Sequence, residues 1–347
     1  MTRGFGIIGT GTIAKIHAEA IALLPDARLA AVTDTDSGTA RKFAAAHGCA
    51  VEPGLDALLA RADIDVVCVC VPSGLHAEIG VRAAKAGKHL VVEKPVDVTL
   101  EAAGRLIAAA REAGVALTVI SQHRFDPGVI ELKRLIDDGA LGRLLLGEAS
   151  TKWYRTQKYY DSADWRGTWS MDGGSLLNQG VHYVDLLRWC MGPVTEVSAV
   201  CATLAHDVEV EDTTLATVRF ASGAVGTIRS TTAAFPGFPQ SLEITGTKGT
   251  AVIEDGQLVR VALAGAADGS AGPPPAPEHP RDDARTAAAD PAAVTPEIHA
   301  AQLADFLAAI DEGRDPAVTG DSGRETLAIV RAAYESSRTG HPVTLGP

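Results

Sequence analysis

Gly9-Thr10-Gly11-Thr12-Ile13-Ala14 constrains the fold of this chain more than any other run. It stands between an apolar stretch, Phe5 to Gly9, that reads as a buried strand and a periodic stretch, Ile13 to Leu24, that reads as a helix. Glycines at the first two marked positions allow a tight turn and a close approach to the backbone, and the small Ala14 lets the helix lie tight on the sheet. Such a turn aims the first N–H groups of the helix outward, where they suit an anionic pyrophosphate. Asp34 ends the next strand about twenty residues beyond the motif, where a dinucleotide fingerprint carries its acidic residue. Gly9, Gly11, Thr12, Ile13 and Asp34 are therefore the candidate cofactor-binding residues. A carboxylate at Asp34 accepts from ribose hydroxyls and repels a 2′-phosphate, which favours NAD over NADP, although Arg41 and Lys42 stand close by in sequence. The competing explanation is a tight turn that binds nothing.

The alternation continues. Strands are expected at Arg28 to Asp34, Val66 to Val71, His89 to Glu93 and Leu117 to Ile120, with helices at Thr39 to His47, His76 to Ala86 and Thr99 to Ala113. Apolar strands alternating with helices imply a parallel sheet covered on both faces. After about Gln122 the pattern changes to one helix, Val129 to Asp138, and then long alternating strands. These are Leu144 to Tyr154, Val194 to Leu204, Thr213 to Phe220, Ala224 to Thr232, Ser241 to Thr245, Thr250 to Glu254 and Leu258 to Leu263. Ser222-Gly223, Lys248-Gly249 and Asp255-Gly256 are turn signals between them. A helix from Ser175 to Met191 interrupts the strands and stops at Gly192-Pro193. The stretch 265–296, rich in Pro, Ala and Gly, reads as a long loop, and helices at Glu297 to Asp311 and Gly323 to Arg338 follow. The expected architecture is an α/β Rossmann domain, residues 1–123, plus an α+β domain with an open, mostly antiparallel sheet, residues 124–347.

Composition narrows the function classes. A chain of 347 residues favours two domains. A net charge of −12 and no basic run argue against a nucleic-acid partner. No apolar stretch suits a membrane span, and the first residues lack the layout of a signal peptide. The five cysteines, Cys49, Cys68, Cys70, Cys190 and Cys201, read as reduced thiols in a cytoplasm. Cys68 and Cys70 alternate along one strand, but small buried side chains explain them better than a metal corner, and no metal is expected.

Glu93-Lys94-Pro95 places an ammonium at the carboxyl end of an apolar strand, where open α/β sheets bind ligands. An ammonium there stabilises an alkoxide as hydride leaves its carbon, and partial desolvation brings its pKa towards a range in which it exchanges protons. On the later helix Asn178 and His182 are four residues apart and share a face, and His182 and Asp185 are three apart. An imidazole ordinarily titrates near neutrality, which suits His182 to exchange of a hydroxyl proton. Taken singly, a lysine capping a strand end and a satisfied histidine in a core are the preferred explanations of these residues.

Together, the residues resemble a known family, that of glucose-fructose oxidoreductase, inositol 2-dehydrogenase and rhizopine-catabolism proteins (Gfo/Idh/MocA). The marks are Gly9 to Ala14, Pro72 with His76 after a strand, Glu93-Lys94-Pro95, Arg124-Phe125-Asp126-Pro127, the segment Gly173 to Asp185 and Ala333-Tyr334-Glu335-Ser336-Ser337. The resemblance implies hydride transfer between a nicotinamide cofactor and a ring hydroxyl carbon of a sugar, sugar derivative or cyclitol held between the domains. It implies Lys94 and His182 as catalytic residues and adds Pro72, His76 and Glu93, with Lys94, to the cofactor contacts. In inositol-dehydrogenase-like members an aspartate stands four residues before the histidine and orients it. Here that position is Asn178, which cannot take up positive charge from the imidazole, so Lys94 is expected to carry more of the acid-base work, with Asn178 as a third catalytic candidate, a hydrogen-bond partner of substrate or His182. Ser175 replaces the third of the usual three glycines.

Substrate contacts are expected from Lys152-Trp153-Tyr154-Arg155, Tyr159-Tyr160 and Trp165-Arg166-Gly167-Thr168-Trp169. Aromatic residues make up 5% of the chain, so their clustering here is informative. Lys152, Tyr154 and Arg166, with Asn178 and His182, are the candidates, against the alternative of a packed loop. The segment looks like that of relatives acting on nucleotide-linked or glycosidic sugars. His299 opens the penultimate helix without a stated role. Two rival functions fit the same fold: a glycosidase that retains NAD and eliminates an aglycone after transient oxidation, and a regulator that senses NAD without turnover. An open sheet face further implies a homodimer or homotetramer through the C-terminal sheet.

Overall fold

Valine, isoleucine and phenylalanine fill the first strands on both faces, the pattern of a parallel sheet between layers of helix. In the computed structural model, which describes residues 2–264 and 295–346, these strands are β1 (Arg3–Ile8), β2 (Ala27–Thr33), β3 (Ala50–Val51), β4 (Val66–Val69), β5 (His89–Val92) and β6 (Leu117–Val119). Helices α1 (Thr12–Ala22), α2 (Ser37–His47), α3 (Leu55–Leu59), α4 (His76–Lys85) and α5 (Leu100–Ala113) connect them. All five pairings are parallel and the order is β3-β2-β1-β4-β5-β6. The order reverses between β1 and β4, so the loops leaving their carboxyl ends diverge there, at the point where doubly wound sheets take ligands. Side chains set the helix ends. Asp36 Oδ1 accepts from Gly38 N and Thr39 N at the start of α2, and Thr99 Oγ1 accepts from Ala102 N at the start of α5. Gly48 and Gly114 close the same helices in the left-handed conformation.

The second sheet is built from β7 (Leu144–Lys152), β8 (Val194–Ala202), β9 (Thr213–Phe220), β10 (Val225–Thr231), β11 (Ser241–Gly246), β12 (Gly249–Glu254), β13 (Gln257–Leu263) and β14 (Val343–Thr344). Its order is β13-β12-β11-β7-β10-β9-β8-β14. Every pairing is antiparallel except that of β7 with β10. Helix α6 (Pro127–Asp137) packs on β12 and β13, the short α7 (Gln157–Tyr160) follows β7, and α8 (Val181–Met191) packs on β7 and β11. The outward face of β8 to β10 is mixed. Val200 and Leu215 are 68% and 56% exposed and sit opposite each other, while Arg219 and Arg229 also point outward.

The chain divides into two compact units, Met1–Gln122 with Val294–Leu327, and His123–Ala293 with Ala328–Pro347. A single cut after residue 123 therefore leaves one returning segment on the other side. Helix α9 (Glu297–Glu312) packs on α1, and its Leu303, Phe306 and Leu307 join Phe5, Ile7, Ala18 and Ile21 in one core cluster. Helix α10 (Gly320–Thr339) contributes its start to the first unit and its end to the second. Except for Thr295 and Pro296, the expected loop 265–296 lies outside the described residues. Beyond the short elements β3, α3, α7 and β14, which the sequence reading did not contain, two further details differ from it. The helix expected from Ser175 begins as a π-helical turn, Leu176–Gly180, ahead of α8. Strand β4 ends at Val69, so Cys70 lies just beyond it rather than beside Cys68 in one strand.

Candidate active site

The turn after β1 is shaped by its glycines. Gly9 has φ +87°, and a Cβ there would stand 2.5 Å from the Cys70 carbonyl oxygen, so both conformation and space demand glycine. Around Gly11 a Cβ would meet nothing within 4 Å. Gly11 caps α1 without a side-chain bond, and no acidic residue occupies the first turn, so the backbone N–H groups at Thr12 and Ile13 face an open approach. Asp34 Oδ2 accepts from Thr10 N at 2.7 Å and from Thr10 Oγ1 at 2.8 Å, while Oδ1 accepts from Asp36 N at 2.9 Å. The carboxylate thus binds the glycine turn to the end of β2. Thr10, which does this, was not singled out by the sequence.

Strand β5 leads into Glu93-Lys94-Pro95. Glu93 is 5% exposed; its Oε1 lies 2.8 Å from His17 Nε2, and its Oε2 accepts from Lys94 N at 3.1 Å. Burial opposes charge on Glu93, but the hydrogen bond and charge of His17 hold its pKa down to about 2. The ring of buried His76 faces two carbonyls, Pro95 O at 2.7 Å from Nδ1 and Val71 O at 2.9 Å from Nε2. Burial pushes its pKa below the usual value, against the pull of those carbonyls. His76 therefore ties the loop after β4, which carries half-buried Pro72, to the loop after β5. Asp97 completes the loop by accepting from Ala77 N, Val98 N and Thr99 N. Lys94 is half-buried at the end of this braced segment.

In the second unit a glycine pair lets the helix start approach the segment before β9. A Cβ on Gly174 would stand 2.2 Å from the Glu211 carbonyl oxygen and 2.4 Å from its Oε1. Glu211 accepts from Ser175 N through its carbonyl (3.0 Å), and from Leu176 N (3.0 Å) and Tyr334 Oη (2.8 Å) through Oε1. Burial pushes its pKa up to about 7. Asn178 Nδ2 donates to Asp172 Oδ1, and Asp172 Oδ2 accepts from Gly167 N at 2.9 Å. His182 is half-buried and stands edge-on to His123, with ring centroids 5.1 Å apart and planes at 90°. His123 Nδ1 lies 2.7 Å from Asp126 Oδ2. Asp185 accepts a bidentate pair from Arg124, both contacts at 2.6 Å and both residues buried. The Arg124-Phe125-Asp126-Pro127 run thus supplies the clamp on Asp185 and the acid beside His123.

The aromatic segment is stacked with cations. The Arg166 guanidinium lies 4.3 Å from the Tyr159 ring centroid and 4.5 Å from that of Trp165, and it donates to Tyr159 Oη at 2.7 Å. Lys152 Nζ is 4.9 Å above the Phe238 ring, and Tyr154 is edge-on to Phe235 at 5.2 Å. Phe235 and Phe238, 74% and 43% exposed, were not picked out by the sequence because they lie about eighty residues from their partners, a separation that no local pattern bridges.

Residues 3–121 match a family model described as an oxidoreductase family with an NAD-binding Rossmann fold, and residues 129–252 match the GFO/IDH/MocA C-terminal domain. An inositol 2-dehydrogenase of Rhizobium meliloti is 32% identical over 342 residues, covering 97% of each chain. The chain belongs to the GFO/IDH/MocA oxidoreductase family. A myo-inositol 2-dehydrogenase of Thermotoga maritima is 27% identical over 95% of each chain. The WlbA dehydrogenase of Bordetella pertussis, solved with NADH and UDP-GlcNAcA, superposes with a TM-score of 0.87 at 34% identity, covering 100% of this chain and 98% of that one.

This GFO/IDH/MocA member has a first unit that fits NAD. Gly11 leaves open space beside the turn, the α1 N–H groups have no side-chain cap, and Asp34 follows β2 directly. Among the described residues, the one group of three side chains with clustered metal-type donors is His17, Glu93 and His299, within 4.8 Å of one another. They come from α1, the end of β5 and α9, so no sequence spacing announces them.

Proposed function

We propose that this protein moves a hydride between NAD and one ring hydroxyl carbon of a sugar, sugar derivative or cyclitol. The observation that carries the reading is Lys94: a half-buried ammonium directly after β5, one strand from the switch point, on a loop braced by Glu93, His76 and Asp97. Gly9, Gly11, Thr12, Ile13, Asp34 and Pro72 hold the dinucleotide, with His76 and Glu93 shaping the loops beside it. NAD, when bound, accepts or returns the hydride at its nicotinamide C4.

In the oxidative direction the substrate carbon loses hydride and its oxygen loses a proton, leaving a carbonyl. The Lys94 ammonium polarises that oxygen and stabilises the alkoxide, and the His182 imidazole takes the proton. Asn178, itself held by Asp172, offers its carbonyl oxygen as a hydrogen-bond acceptor to a neighbouring substrate hydroxyl. Lys152 and Tyr154 receive the part of the substrate away from the reacting carbon. Arg166 shapes that wall through its stacking on Tyr159 and Trp165. The relatives, one named as an inositol 2-dehydrogenase and one a dehydrogenase solved with UDP-GlcNAcA, support the class, and the substrate panel below identifies the individual sugar. All five cysteines are free thiols, in keeping with work in a reducing cytoplasm. Outward Val200 and Leu215 support a homodimer or homotetramer formed through the C-terminal sheet.

The test is a panel of cyclitols, free sugars, glycosides and nucleotide sugars with NAD, followed at the absorbance of NADH. NADH formation on at least one member is expected. Release of an aglycone without net NADH would instead establish the NAD-retaining glycosidase.

A further inference from the structure

We infer that His17 is a positioning residue for Lys94, acting through the Glu93 carboxylate; the inference rests on the role proposed for Lys94. His17 is fully buried on α1, about one turn beyond the glycine turn. Its Nε2 is 2.8 Å from Glu93 Oε1, and the other oxygen of Glu93 accepts the Lys94 backbone N–H at 3.1 Å. A side chain on the helix that opens the dinucleotide site is thus linked by two hydrogen bonds to the backbone of the reacting lysine. A carboxylate taken out of water persists only with a hydrogen-bonding partner, and loss of that partner leaves an uncompensated charge or a protonated acid. Either outcome changes both the anchor of the Lys94 amide and the charge beside its ammonium.

Burial opposes charge on His17, yet its neighbours, Cys70 and Cys68 among them, hold its pKa well above the usual value. The groups that act on Glu93 are His17 from α1, His299 from α9 and Lys94. Cys70 after β4 and His76 of α4 are also close enough to feel its charge. The cluster His17, Glu93 and His299 also has the composition of a metal site. However, a tetrahedral zinc with bonds of about 2.0–2.1 Å separates its ligand atoms by roughly 3.3 Å. The 2.8 Å between His17 Nε2 and Glu93 Oε1 is a distance for a shared proton.

The full-length chain and its His17→Leu, His17→Gln, Glu93→Gln and Lys94→Ala variants decide the matter. Three quantities are read: kcat on the panel member with the highest turnover, NADH affinity by fluorescence, and the titration midpoint of 13C-dimethylated Lys94 by NMR, assigned by its loss in Lys94→Ala. His17→Leu is expected to lower kcat about 10- to 100-fold and to move the Lys94 midpoint, with NADH affinity within about two-fold of wild type. His17→Gln, whose amide keeps an N–H donor, is expected to recover most of both. Should His17→Leu not fold, Glu93→Gln, which keeps shape and loses charge, is expected to lower the Lys94 midpoint. An unmoved midpoint with wild-type kcat in His17→Leu, or in Glu93→Gln if it stands in, overturns the inference even where Lys94→Ala is inactive. A fall in NADH affinity and melting temperature without any change at Lys94 does so too, because it marks a merely structural histidine. Wild-type turnover in Lys94→Ala removes instead the function proposed for the lysine.

Discussion

Glu211 is a carboxyl group kept from water beneath the start of the helix that carries Asn178 and His182. Its Oε2 has no hydrogen-bond partner among the described residues, and burial lifts its pKa from 4.5 to about 7. The folded state therefore holds this proton more tightly than the unfolded chain. The stability it contributes is complete below pH 4.5 and is lost as pH rises towards 7, by up to about 3 kcal/mol. Urea unfolding from about pH 5 to about pH 8 should lose much of its pH slope in Glu211→Gln; an unchanged slope would place the titration elsewhere. This residue, like the His17–Glu93 pair and the Asp172 that receives Asn178, was not legible in the sequence. Each matters through a partner brought close by folding, His17 and Glu93 being 76 residues apart. The placement of Lys94 just after a strand and of His182 on a helix was legible because strand ends and helix faces are local properties. Asp185 follows His182 by three residues on α8, as the spacing expects, and the structure adds the Arg124 clamp.

At the scale of elements, the turn between β1 and α1 combines a demand for positive φ at Gly9 with the close Cys70 carbonyl. Gly9→Ala is expected to cost about 2–4 kcal/mol in urea unfolding and to weaken NADH binding at least about tenfold in a fluorescence titration. Stability and affinity equal to wild type would contradict the close approach described. Asp34→Ala removes both the ribose acceptor and the bonds to Thr10, so the ratio of kcat/KM for NAD over NADP should fall about 10- to 100-fold. Strand-turn-helix order was readable because each piece is contiguous. The two-residue β3 and the five-residue α3 were not, since neither is long enough to display a period. The π-helical turn at Leu176–Gly180 also escaped, because its apolar spacing resembles that of the α-helix it precedes.

For the whole molecule, alternation and composition were enough to read a Rossmann unit followed by an α+β unit, and the sheet orders agree. The return of α9 to the first unit was not readable. An amphipathic helix declares that it has a buried face, and the partner that covers Leu303 and Phe306 is decided by tertiary packing. The proposed self-association through the outward face of β8 to β10 belongs to this scale. Sedimentation of the purified protein should give a dimer or tetramer, and Leu215→Glu should shift it towards monomer; a wild-type monomer would remove that proposal. The most direct measurement is steady-state NADH formation by wild type, Lys94→Ala and His182→Ala on the best member of the polyol panel, paired with NADH binding to each. Both variants are expected to lose about 100-fold or more in kcat while binding NADH as wild type does. Wild-type kcat in either one would contradict hydride transfer assisted by that lysine and that histidine.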